Sequence, residues 1–387
     1  MKFFRHPLWL AGFRPFFALA CLSGLALPML WALIFGGHIA APHGTLTPMQ
    51  WHAHEMFFGF GWAVLGGFLL TSTKNWVGVR GYHGAALVFL AAAWCFERLG
   101  MWYEGVWPPL LFRLSNNLFL GAIVVMLMWT LIRGRRADSY RNDNIAFLVI
   151  LPLFLAAKHL MLSAEHFLLG WSMALGLFRM AFLLMLERTL TQFMKSIFKV
   201  NILRNPVLDT AIKLLGLVLV LAALLPPPLA AALEILLALL LLGRFIFWQP
   251  QRAMTRLDIG IMYLGYLALA AQLLLAALER IAHPAWVGSL PLHVFSFGVM
   301  GLIIPAMLVR IAKGHTGRPV VFARLDKAAL WIMMLGFALR IVAPQFHPAA
   351  YSIWIYLAAT CWLACFALLG WRLIPFLLQA RVDGKEH

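Results

Sequence analysis

Twelve apolar runs of membrane-crossing length, joined by short loops, constrain this chain more than any other feature. A helix that crosses the hydrocarbon core needs about 20 mostly apolar residues. The sequence supplies such runs at about 14–36, 51–71, 83–101, 108–132, 145–162, 166–187, 207–226, 228–248, 258–279, 289–311, 327–343 and 349–371. The narrowest breaks are Ser163-Ala164-Glu165 and Pro226-Pro227-Pro228; a proline triplet cannot continue a helix. The loops are too short for a separate soluble domain. The expected fold is an all-α integral membrane protein, about twelve transmembrane helices in one bundle, with residues 1–387 forming a single polytopic domain.

Composition agrees. Apolar residues make up 63% of the chain and charged residues 12%, against roughly 45–50% and about 25% in soluble domains. That excludes a soluble enzyme, a disordered chain and a disulfide scaffold. The first run is long enough to span and lacks the pattern of a removed signal peptide. The four cysteines, Cys21, Cys95, Cys361 and Cys365, all lie in apolar runs and read as core thiols.

The net charge of +17 is a statement about topology rather than nucleic acid, because the cations sit in loops between apolar runs and not on one polar face. All but seven of the 31 Lys and Arg fall at alternate ends of the runs. By the positive-inside rule both termini are expected to be cytoplasmic. The seven are Arg98, Arg113, Lys158, Arg179, Lys213, Arg280 and Arg340. Lys213 and Arg280 read as snorkelling near a helix end. Arg98, Arg113, Arg179 and Arg340 read as facing a polar interior, with Glu97 and Glu165 as candidate counter-charges.

Histidine is unevenly distributed. His38, His43, His52, His54, His159, His166, His283, His293 and His347 map to outer ends or outer loops, and only His6, His83, His315 and His387 to the inner side. Each alone reads as a local hydrogen-bonding group. As a layer drawn from several helices they point to a metal or haem site, since imidazole is a common ligand. The densest stretch is Trp51-His52-Ala53-His54-Glu55-Met56. On an α-helix His52 and His54 lie about 200° apart, so they cannot chelate one ion together. Glu55, three residues from His52, shares its face and could orient it. His293 lies about one turn into the tenth run, near the expected depth of His52 and His54. Gly59, Gly61, Gly66 and Gly67 read as a helix-packing surface.

On the inner side, Gly314-His315-Thr316-Gly317-Arg318 has the glycines, hydroxyl and cation of an anion or propionate clamp. Arg14, beside Pro15, sits at the expected start of the first helix, where free N–H groups carry partial positive charge. Its fork is expected to hold an anion such as a lipid phosphate or a buried carboxylate.

Several of these stretches together resemble the NnrS family of multi-pass membrane proteins. They are Phe13-Arg14-Pro15-Phe16-Phe17, Trp51-His52-Ala53-His54-Glu55-Met56 with Gly59-Phe60, and Gly67-Phe68-Leu69-Leu70-Thr71. Asn75-Trp76 with Gly78, Leu264-Gly265-Tyr266, His293 and Gly314-His315-Thr316-Gly317-Arg318 follow in family order. The resemblance implies a twelve-helix fold in the bacterial cytoplasmic membrane, association with haem and copper, and a role in the response to nitric oxide. It implies no reaction, so whether the chain is an enzyme stays open. Motif matches and the histidine layer together make His52, His54, His293, His315, Arg14 and Arg318 the candidate cofactor-binding residues. His52, His54 and His293 are the candidate metal ligands, with Glu55 and Arg98 as further candidates. Membrane lipid and nitric oxide are the expected partners, and nucleic acid is not. Two departures stand out. Tyr263 occupies a position where family members often have His, and Leu186-Glu187-Arg188-Thr189-Leu190-Thr191 replaces a Gly-Gly-Arg-x-x-Pro run.

Two other functions compete. Twelve spans with buried cations are also transporter-like, although no inverted repeat is visible. A haem–copper oxidase or nitric oxide reductase subunit needs an adjacent His pair, which this sequence lacks.

Overall fold

A computed structural model describes residues 3–42 and 44–385. The expectations for Lys2, His43 and His387 therefore lie outside the described residues. Twelve helices are long and apolar enough to cross a membrane, as the sequence predicts. They are α1 (Phe13–Phe35), α2 (Pro48–Val77), α3 (Ala85–Trp102), α4 (Pro109–Arg133), α5 (Ile145–Leu162) and α6 (Phe167–Phe198). Then come α7 (Pro206–Leu224), α8 (Pro227–Phe247), α9 (Leu257–Ala282), α10 (Leu290–His315), α11 (Arg324–Phe346) and α12 (Pro348–Leu377).

Local chemistry sets the boundaries. Pro48, Pro206 and Pro348 open helices, where a missing N–H costs nothing. Thr47 accepts from Gln50 N while Gln50 returns a bond to Thr47 N, a complete capping box at the start of α2. Asn205 caps α7 through Val207 N and Leu208 N. Gly78 ends α2 with φ +66°, the left-handed geometry that glycine adopts without a Cβ penalty. The expected breaks hold: α5 ends at Leu162 before α6 begins at Phe167, and Pro226 separates α7 from α8.

The chain forms two compact units. Unit 1 comprises residues 1–170, 308–321 and 366–387, and unit 2 comprises 171–307 and 322–365. In unit 1 the glycines of α2 serve the packing expected of them. A Cβ on Gly67 would come within 2.8 Å of Phe16, and one on Gly66 within 2.8 Å of Ile123, so α1 and α4 approach α2 closely there.

Two helices contain π-helical stretches. Residues Glu55–Gly61 of α2 and Val294–Gly301 of α10 are π-helical. Each stretch begins one residue after a histidine, His54 or His293, and contains two glycines. π-turns are rare and concentrate at functional sites. These two helices are also the most enclosed of the twelve, with 89% and 83% of their apolar windows buried, so they face protein far more than lipid.

Candidate functional site

The first candidate site lies in unit 1, where α2, α3, α4 and α5 bring charged groups together inside apolar helices. His54 is fully buried, and its two ring nitrogens face two carboxylates: Nδ1 is 3.2 Å from Glu55 Oε1, and Nε2 is 3.4 Å from Glu97 Oε1. Glu97 also pairs with Lys158, whose ammonium donates to the Asn116 carbonyl as well. Arg98 reaches Glu55 Oε2 at 3.2 Å and Glu97 Oε1 at 3.4 Å, with its guanidinium over the Trp94 ring. Two carboxylates, Glu55 and Glu97, thus face two cationic side chains, Lys158 and Arg98, as well as His54. A Cβ on Gly59 would collide with Arg98, and Trp94 Nε1 donates to the Gly59 carbonyl at 3.1 Å. Gly59 is thus small to admit Arg98, beyond any role in helix packing.

This cluster corrects part of the sequence reading. The side chains that Glu55 meets are His54, its chain neighbour, and Arg98 from α3, not His52. Glu97 is a counter-charge as expected, but Glu165 is 85% exposed and 4.0 Å from His166, and Arg113 is exposed. Asn116 was not singled out; a polar residue inside an apolar run was the available signal. Several buried atoms here, namely Arg98 Nε and both Nη, Glu97 Oε2, Asn116 Oδ1 and His54 Nε2, lack a hydrogen bond within the described residues. Donors and acceptors left over together suit ordered water, which satisfies both.

His52 lies on the other side of α2, half-buried, with its ring stacked on Trp31 at 4.1 Å. The expected separation of His52 from His54 is present: one is stacked on α1, the other locked among carboxylates.

Arg14, His315 and Arg318 do come together, also in unit 1. Arg14 is fully buried, and its Nη1 donates to Leu377 O and Gln379 O, each at 2.7 Å. These carbonyls end α12, where a cation is favoured by the helix dipole. The His315 ring lies 5.5 Å from that of Phe13. Arg318 donates to Gln379 Oε1 at 2.6 Å, and Arg381 donates to His315 O at 3.0 Å. Thr316 O accepts from Val382 N. The Arg381 guanidinium bonds the Asp383 carboxylate and holds it down to about 2. Gly317, at φ +78°, leaves no room for a Cβ beside Asp383. The residues expected to clamp an anion thus engage the segment from Leu377 to Asp383. Arg14→Ala should leave two helix-end carbonyls without their charged donor, at a cost of about 1.5–3 kcal/mol. Because one nitrogen makes both bonds, Arg14→Lys should lose less. Thermal unfolding of the purified variants checks this, and an Ala variant as stable as the parent would refute it.

In unit 2 the altered 186–191 segment carries its own network. Glu187 pairs with Arg204, with Lys213 at 3.1 Å and with Arg244 at 3.2 Å; Asp209 binds Arg204 at 2.8 Å and Arg244 at 3.3 Å. Tyr266 of the Leu-Gly-Tyr triplet meets Arg244 Nε at 2.9 Å, and Tyr263 donates to Trp248 O at 2.8 Å. Tyr263, where family members often have His, is therefore a buried hydrogen-bonding residue here. Deeper in the unit, Arg179 donates to Gln272 Oε1 and to Leu219 O. That carbonyl is freed where α7 passes from α to 3-10 geometry.

His293 also lies in unit 2. Its Nδ1 is 2.8 Å from Ser289 O, and Arg340 Nη2 is 3.1 Å from its Nε2 and 3.3 Å from Tyr351 Oη. Within the described residues, no three His, Cys, Asp or Glu side chains are arranged to hold a metal ion.

The comparison with known families bears on the whole chain. The family model described as NnrS protein matches residues 7–381. The chain belongs to the NnrS family. The match covers every spanning helix, both π-helical stretches and the Arg14–Arg318 corner, so all the NnrS motifs named from sequence lie in one continuous alignment. No curated protein matches the chain.

Proposed function

We propose that this NnrS-family chain is a haem- and copper-associated protein of the bacterial nitric oxide response. In this reading it sits in the cytoplasmic membrane with both termini inside and protects against nitric oxide or metal–nitrosyl damage. The family match over residues 7–381 carries the proposal. The fit of the residues differs between the two groups. A haem iron needs only one or two axial side chains. His293 suits that role: donation from Nδ1–H to Ser289 O fixes the tautomer that keeps a lone pair on Nε2. Arg340 would have to yield its contact with that nitrogen. His52 is the second candidate. His54 suits it poorly, because carboxylates face both of its nitrogens. For copper the described residues form no three-ligand cage, so copper rests on the resemblance alone and no step is derived through it.

Haem, when bound, supplies the iron that takes up nitric oxide. The chain's part is to orient the ligand His, shield it from solvent and hold the charges around it.

The test is an optical spectrum of protein purified from haem-replete cells, reduced and then exposed to nitric oxide, with metal analysis alongside. The expected result is a haem band that shifts with nitric oxide and that His293→Ala loses while still inserting. A colourless, metal-free parent would overturn the reading. It would favour a transporter, for which the buried His54–Glu97–Lys158 cluster is the supporting observation.

A further inference from the structure

The sequence His-x-x-x-Phe-Gly occurs in α2, from His54 to Phe58-Gly59, and again in α10, from His293 to Phe297-Gly298. The likeness extends to structure. In both, π-helix begins at the residue after the histidine. In both, the next spanning helix sends an arginine towards that element: Arg98 from α3 and Arg340 from α11. In both, the motif glycine faces an aromatic ring about one turn before that arginine. Trp94 bonds Gly59 O, and Phe337 lies 2.9 Å from where a Gly298 Cβ would be. Each unit thus carries one copy of the same two-helix element.

The copies differ in charge. In unit 1, Glu55 follows the histidine and Glu97 precedes the arginine, and both neutralise Arg98. The matching positions in unit 2 are Val294 and Leu339. Arg340 is 9% exposed, and within the described residues no carboxylate lies within ion-pair distance of it. Its contacts are to His293 and Tyr351, all through Nη2. Arg340 Nη2 is 3.3 Å from Nδ1 and 3.1 Å from Nε2 of His293, which places it over the ring face. The Tyr351 hydroxyl accepts from the same nitrogen and keeps a proton to donate. Gly288, at φ +74°, has no space for a Cβ beside that hydroxyl. A guanidinium cannot shed its charge as an amine can, and a buried charge needs a partner.

We infer that Arg340, with Tyr351, forms an oxyanion-binding site in unit 2, taking a phosphate or carboxylate group where unit 1 uses Glu55 and Glu97. Arg340 Nε and Nη1 carry no hydrogen bond among the described residues, so each is a separate donor open to an oxyanion. The Tyr351 hydroxyl is the additional donor. The inference goes beyond the proposed function and needs no haem.

The test uses the full chain in detergent and in lipid nanodiscs, comparing the parent with Arg340→Gln and Leu339→Glu. The second variant places in unit 2 the acid that Glu97 provides in unit 1, and should fold with its arginine neutralised. Inorganic phosphate is titrated in phosphatidylcholine nanodiscs, and phosphatidylglycerol is compared with phosphatidylcholine in phosphate-free buffer. Thermal midpoint and native mass are the readouts. The parent should be stabilised by one of these anions or retain an extra anionic mass. Affinity should fall about tenfold or more in Arg340→Gln, and Leu339→Glu should respond to neither. Stabilisation by phosphate identifies a free oxyanion; stabilisation only by phosphatidylglycerol identifies a lipid headgroup. A parent with no response and no retained mass overturns the inference, as does a response unchanged in both variants.

Discussion

Lys158→Met is expected to lower the stability of the folded protein sharply. Lys158 is one of two cationic side chains facing the fully buried Glu97. Removing one partner of a buried pair typically costs about 3–5 kcal/mol, because the other charge stays behind. Whole-protein stability is commonly about 5–15 kcal/mol, so a loss of this size is severe. The decisive control is the double variant Lys158→Met with Glu97→Gln. It removes both charges, and the two changes should be markedly less harmful together than their summed single effects. Monodisperse yield and thermal midpoint of the three variants measure this. A Lys158→Met protein as stable as the parent would show that the pair contributes nothing.

Gly170→Ala should be about as damaging for a different reason. Gly170 opens the second turn of α6 against the end of α5. A Cβ there would lie 2.6 Å from Leu160 C and 2.7 Å from Ala157 O, and closer still to Met161 N. All three are backbone atoms, so no side chain can swing away. Overpacking costs about 1–3 kcal/mol where side chains can adjust, and here the helices themselves must part. Gly121→Ala in α4 is the control, because a Cβ there meets nothing within 4 Å. In a helix interior that change should be neutral or stabilise by up to about 1 kcal/mol. Equal thermal midpoints for the two Ala variants would defeat the steric argument.

The twelve spans were readable because a crossing helix must be long, apolar and internally hydrogen-bonded. Proline and polar breaks then marked the ends, as at Pro226 and Ser163. The family was readable because its motifs occur in order along the chain. The sequence identified Arg98 and Arg340 as facing a polar interior, Glu97 as a counter-charge and His54 as a candidate ligand, and it set Lys158 apart from the loop cations. It could not say which of them meet. Glu55 illustrates why: α-helical spacing puts it on the face of His52, but its carboxylate meets His54 and Arg98. Arg14 shows the same limit at longer range. Its charge and its place at the start of α1 were foreseeable, yet the carbonyls it holds lie more than 360 residues away, at Leu377 and Gln379. Hydropathy records how each residue partitions between lipid and protein, and so it determines the number and limits of the helices. Which charges neutralise one another depends on helix rotation and on contacts between distant segments, and only the packed structure decided those.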